Sequence, residues 1–201
     1  MSDSTVPARA PRITPGTFGD LGIVNWAICR VLARRMRMPR LNVFATIARD
    51  RGMFRGWMHL IASSMLSGTL NRHDTECVIV RVAALRNSAY ELNHHRRLAR
   101  AAGVPVDVIA LLEDPACDLT ELPDRTRELV AACDQLVTRR YIDDEEWAGI
   151  AEHLSQPQLL EFVMLVGTYD SLAALIDTIG IEVEGASAGH RPSGRSESRP
   201  R

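Results

Sequence analysis

Ser88, Glu91 and His95 stand three and four residues apart in a stretch, Asn87 to Ala102, whose apolar spacing predicts a helix. On a helix the three project from one face, and Leu92, Leu98, Ala99 and Ala102 share or flank that face. A carboxylate and an imidazole would then meet a largely apolar environment. Burial raises a carboxylate's pKa, and a nearby acid raises that of an imidazole. Tyr90 adds a phenol beside Glu91. Glu76 lies on the preceding segment, from which antiparallel packing would bring its carboxylate to the same place. Two acids, an imidazole, a hydroxyl and a phenol are the parts of an acid–base site. The same spacing has a plainer use: a Glu–His pair at i, i+4 stabilises a helix, and an acid in a first turn complements the helix dipole. His94, rotated by about 100° from His95, is expected at the surface.

Sulfur offers less. The four cysteines, Cys29, Cys77, Cys117 and Cys133, form no Cys-x-x-Cys, so spacing gives neither a redox pair nor a zinc site. Reduced, mostly buried thiols are the expectation. Cys77 follows Glu76 near an expected helix N-terminus, which would lower its pKa, but it points about 100° away from Glu76.

These side chains need a scaffold, and the pattern is helical throughout. Phe18 to Met38 carries an apolar stripe opposite arginines and stops at Pro39; Val43 to Arg51 and Phe54 to Leu66 read as two further helices. Asp74 is a good N-cap for the next segment, which runs to about Arg86. Its β-branched residues would also suit a buried strand, but the cap and the length favour helix. The helix after it ends before Gly103, and Pro105 opens a short one over Val106 to Leu112. Asp124 to Arg139, Asp143 to His153 and Gln156 to Ile179 complete an all-α domain of about eight helices. The last is apolar on three sides, which implies deep burial or a subunit interface. The domain is expected over residues 17–184, between a flexible, Pro-rich tail at 1–16 and a disordered Gly/Ser/Pro/Arg tail at 185–201.

Composition narrows the function. The net charge of −1 makes no case for nucleic acid. All 24 basic residues are arginine, so no lysine is present to form a Schiff base. The N-terminus lacks the apolar core of a signal peptide, and no apolar run approaches the roughly 18 residues of a membrane span. A cytoplasmic protein without a membrane partner is expected.

The chain resembles the carboxymuconolactone decarboxylase / alkylhydroperoxidase D (AhpD) family over roughly residues 20–183. The family motif is a Glu, eleven residues, Cys-x-x-Cys, three residues and a His; here it reads Glu76, eleven residues, Ser88-Ala-Tyr-Glu91, three residues and His95. The helix ending at Gly103, the stretch Val43 to Leu66, Trp147, Gly167-Thr-Tyr169 and Ile179-Gly-Ile are also similar.

The resemblance implies a helical subunit that assembles as a homotrimer or homohexamer. In the peroxidase branch one cysteine attacks peroxide and the other resolves the intermediate. Ser88 and Glu91 occupy those positions here and can do neither, and Tyr90 stands where a relay histidine is expected. What remains implies acid–base chemistry without a cofactor or metal, on a small organic acid or lactone. His95 would be base or acid and Glu76 and Glu91 would tune it. Ser88 and Tyr90 would donate to a developing oxyanion, Arg81 (or Arg86) would bind a carboxylate, and Tyr169 would line the pocket. The alternatives are a peroxidase-like antioxidant protein, against which the missing cysteine pair argues, and a non-catalytic binding module on the same scaffold.

Overall fold

The computed structural model describes residues 11–185. Most of the sequence expected to form the two tails lies outside them. Among the described residues there are nine α-helices, one 3₁₀ turn and no strand. They are α1 Phe18–Arg35, α2 Asn42–Ile47, α3 Arg51–Leu66, α4 Arg72–Leu85 and α5 Ala89–Ala101, followed by α6 Val106–Glu113, α7 Asp124–Arg139, α8 Asp144–His153 and α9 Gln156–Ile179. The 3₁₀ turn is Leu119–Glu121.

Helix α4 is the hub, packed against α5, α6, α7 and α9. Its residues Asp74 to Ala84 are all buried. A helix covered on every side needs no polar stripe, which explains the strand-like run of Val78, Ile79, Val80 and Val82. Val78, Ile79 and Val82 enter one apolar cluster with Leu129, Phe162 and Leu165. Cys77 and Val80 enter another with Leu112 and Val130. The N-cap is Asn71, whose side chain accepts from the Asp74 amide at 2.8 Å. Asp74 is therefore a first-turn residue, not the cap, and its buried carboxylate pairs with Arg125 at 2.7 Å.

The α4–α5 connection is tight. Asn87 takes a positive φ of 52°, and the Ser88 amide donates to the Ala83 carbonyl at 2.8 Å. This closes α4 and reverses the chain so that Ser88 caps α5. Helix α1 is bent at Gly22, whose φ of 70° and ψ of 168° are not helical. Glycine enters that region without steric cost. The bend lets the buried Asn25 amide reach the Ala48 and Arg51 carbonyls at 3.3 and 3.4 Å, tying α1 to the α2–α3 junction.

Residues before the expected boundary at residue 17 contact the helices. The Arg12 amide donates to the Ile179 carbonyl at 2.7 Å, and that of Gly16 to the Ala45 carbonyl at 2.9 Å. Helix α9 has the expected limits but is long and apolar enough to cross a membrane by length and composition, an 18-residue window of it reaching a mean hydropathy of 1.7. Here it is a core helix, with Leu159, Phe162, Leu165, Val166, Tyr169, Ala173 and Ile176 buried.

Arg81, expected to bind substrate, is a structural residue. It is 1% exposed, and its guanidinium grips both oxygens of Asp134 at 2.7 and 2.6 Å. It also donates to the Asp114 carbonyl at 2.7 Å and that of Pro115 at 3.3 Å. It thereby clamps the loop after α6 onto α4 and α7. Removing one partner of such a pair strands the other, at a cost of about 3–5 kcal/mol. Arg81→Ala should lose stability on that scale in urea denaturation, and a loss below ~1 kcal/mol would show the clamp to be dispensable.

Candidate active site

Glu76 and His95 meet. The carboxylate, on the second turn of α4, is fully buried, and its Oε2 lies 2.8 Å from His95 Nδ1 on α5. Arg72, one turn before Glu76 on α4, pairs with its other oxygen. A buried carboxylate without such partners would be costly. The contact assigns the proton of Nδ1 to the Glu76 side, which leaves Nε2 as the free basic nitrogen. The Tyr169 ring from α9 stands edge-on to the imidazole, with centroids 5.2 Å apart.

His95, Tyr169, Glu91, Tyr90, His94 and Arg72 all border one cavity of about 560 Å³. Its remaining walls come chiefly from α1, α2, α3 and α9, including Leu32, Phe44, Trp57 and Leu172. Glu91 is 2% exposed, and neither of its oxygens has a well-aligned hydrogen-bond partner; the buried Ser88 hydroxyl, likewise without an aligned partner, lies close to it. Burial raises the Glu91 pKa to about 8; the Ser88 hydroxyl offsets this in part, and Asp177 and Asp170 add to it. Glu91 is thus a neutral acid at pH 7. Burial, with Glu76 and Glu91 nearby, raises the Tyr169 pKa and keeps its phenol protonated.

Four expected contacts with substrate change. Ser88 does not border the cavity; it is the buried N-cap of α5 beneath Glu91. Tyr90 borders it, but its hydroxyl donates to Glu184 Oε1 at 2.5 Å and accepts from the Val43 amide at 3.2 Å, so that hydroxyl is already committed. Arg81 is in the clamp described above. Arg86 pairs with Asp170 and donates to the Val137 carbonyl at 2.9 Å.

His94 is 5% exposed, not a surface residue. Its Nε2 lies 2.8 Å from Glu184 Oε2. Glu184 also accepts from the Asn42 amide at 2.6 Å. Burial opposes ionisation of Glu184, but the donors from His94, Tyr90 and Asn42 outweigh it and hold its pKa below the ordinary value. The segment after α9 thereby straps α2 to α5 and braces the cavity wall. No sequence pattern pointed to Glu184, which is 90 residues from His94. Arg72 was legible in principle, since it precedes Glu76 by one turn.

The thiols stand apart, and none borders the cavity. Cys77 is fully buried; burial, with Asp74 and Glu76 beside it, pushes its thiol up to about 12. That reverses the expected lowering, because the buried acids and the lack of water outweigh the helix N-terminus. Among the described residues no cluster of three or more His, Cys, Asp or Glu side chains could hold a metal ion.

The Glu91 shift has a consequence for stability. Between pH 4.5 and about 8 the unfolded chain releases this proton while the folded chain keeps it. The unfolded state then binds fewer protons, so stability falls as pH rises through that window. Glu91→Gln keeps the shape and removes the titration. It should leave melting near pH 4 almost unchanged and raise stability at pH 8 by a few kcal/mol, on the order of the whole linkage term. Parallel pH profiles for the two proteins would refute a shifted Glu91.

Residues 51–120 match the Carboxymuconolactone decarboxylase family. No curated protein matches the chain. Among solved structures, the AhpD-core, peroxidase-related protein from Ralstonia eutropha JMP134 is similar, with a TM-score of 0.75 and 16% identity over 88% of this chain and 94% of that one. A peroxidase-related protein from Silicibacter sp. TM1040 has a TM-score of 0.72 and 12% identity, covering 92% and 98% of the two chains. The debrominase Bmp8, solved as a cysteine-to-alanine variant with 2,3,4-tribromopyrrole, has a TM-score of 0.68 and 12% identity, covering 86% and 91%. The family match thus spans α3 to α6, the fold around it is similar to the AhpD core, and the motif from Glu76 to His95 contains no cysteine pair.

Proposed function

We propose that this protein is an acid–base enzyme that decarboxylates or isomerises a keto acid or lactone with its own side chains. The observation that carries the reading is the 2.8 Å Glu76–His95 contact beside a cavity that also borders the neutral acid Glu91. An imidazole and a carboxyl group that burial holds towards its neutral form can divide the roles of base and acid between them.

In isomerisation, His95 Nε2 removes a proton from the carbon beside the substrate carbonyl. Electrons move onto the carbonyl oxygen, which accepts hydrogen bonds from Glu91 and the Tyr169 phenol. The imidazolium, steadied by Glu76, returns the proton to a neighbouring carbon. In decarboxylation, His95 Nε2 first takes the proton of the substrate's carboxylic acid, and the bond to the carboxylate carbon then breaks and CO₂ leaves. Its electrons pass to the same oxygen, and a proton from the imidazolium then quenches the enolate carbon. Glu76 acts through His95 and is a positioning residue.

Thiol peroxidase chemistry has less support: Cys77 is buried and its thiol stays protonated. Self-association as a homotrimer or homohexamer forms part of the reading. It is supported by exposed apolar side chains on α1 and α9, among them Ile23, Val24, Leu160 and Met164.

A screen of 3-oxo acids and unsaturated lactones for CO₂ release or double-bond migration tests the proposal. His95→Ala should lower kcat about 10²–10⁴-fold. Turnover indifferent to that change, or peroxide reduction lost on Cys77→Ser, would sink it. The acid form of Glu91 is present below its pKa of about 8, so kcat should fall on the alkaline side of that value. In Glu91→Gln that limb should vanish, at a lower overall rate.

A further inference from the structure

The cavity is built for more than a small polar acid. Its volume of about 560 Å³ falls in the range that encloses a drug-sized molecule. Of its 20 lining residues, 13 are apolar and 7 polar. Met36, Met58 and Met65 are among the apolar ones, and flexible thioethers adapt to irregular shapes.

The polar residues are largely spoken for. Arg72 pairs with Glu76. Tyr90 and His94 hold Glu184. Glu91 is neutral at pH 7. The remaining cation, Arg35, is exposed, so it stands at the rim. Among the described residues no inward-facing cation is left to balance a second substrate carboxylate, and an unpaired charge against such a wall is costly. The unpartnered Glu91 carboxyl and the free nitrogen of His95 provide for one polar group.

We infer that the ligand has one polar, reacting end on a bulky apolar body: a hydrophobic keto acid or lactone with roughly ten or more carbon atoms, not a short, multiply charged acid. The inference rests on the acid–base reading for the identity of the polar end. The apolar body follows from the cavity alone.

Titration calorimetry of the full chain tests it, with saturated γ-lactones from γ-butyrolactone to γ-dodecalactone and with adipate as the short diacid. Affinity should tighten by about fourfold per added methylene until the cavity fills, and adipate should not bind. Trp57 lines the cavity, so its emission should change with the long lactones. Ala62→Trp, which fills part of the cavity, should cancel the gain for the longest lactones and spare the shortest. The wild-type series and the Trp57 signal decide the matter even if that variant fails to fold. A flat chain-length dependence, or tighter binding of adipate, overturns the inference. Chain-length-dependent binding with no turnover of any keto acid or lactone leaves the ligand class standing and sinks the acid–base reading. Turnover confined to a short diacid does the reverse.

Discussion

The site depends on one buried charge being held. Glu76 is fully enclosed at the packed N-terminal half of α4, where an ionised carboxylate survives only with partners. Arg72 supplies one from the same helix and His95 the other from the next. The requirement constrains the whole α4–α5 hairpin. The positive φ at Asn87 and the Ser88–Ala83 hydrogen bond set the reversal that brings His95 back over Glu76. The dense packing of α4 against α5, α6, α7 and α9 then holds that register.

Around this contact the protein gives two carboxyl groups unlike surroundings. Glu76 has a cation and an imidazole beside it; Glu91, one turn from His95, has neither and is pushed by burial towards its neutral form. The difference comes from neighbours, not from residue type. It turns two glutamates on adjoining helices into unlike chemical tools. Leaving Glu91 without a well-aligned hydrogen-bond partner costs stability.

A second glutamate–histidine contact, Glu184 with His94, does different work on the same helix. It fastens the chain end that follows α9 to α2 and α5, so that the cavity wall is braced from outside while the Glu76 contact organises it from within. The adjacent histidines of α5 thus serve two carboxylates that arrive from opposite directions along the chain.

Local information in the sequence determined a good deal. Helical periodicity, Gly103, Pro105 and the capping residues of α8 set most helix limits within a few residues, because those signals act over one or two turns. The eleven-residue gap from Glu76 to Ser88 and the i+7 step to His95 were enough to expect the first contact, since both lie on one hairpin. Only the tertiary structure decided the rest. Arg81 became a clamp because Asp134, far along the chain, folds against it. His94 became buried because Glu184 reaches it across 90 residues. The Cys77 thiol rose in pKa because α4 is enclosed on all sides. In each case the deciding energy is desolvation by groups remote in sequence, which no local pattern encodes.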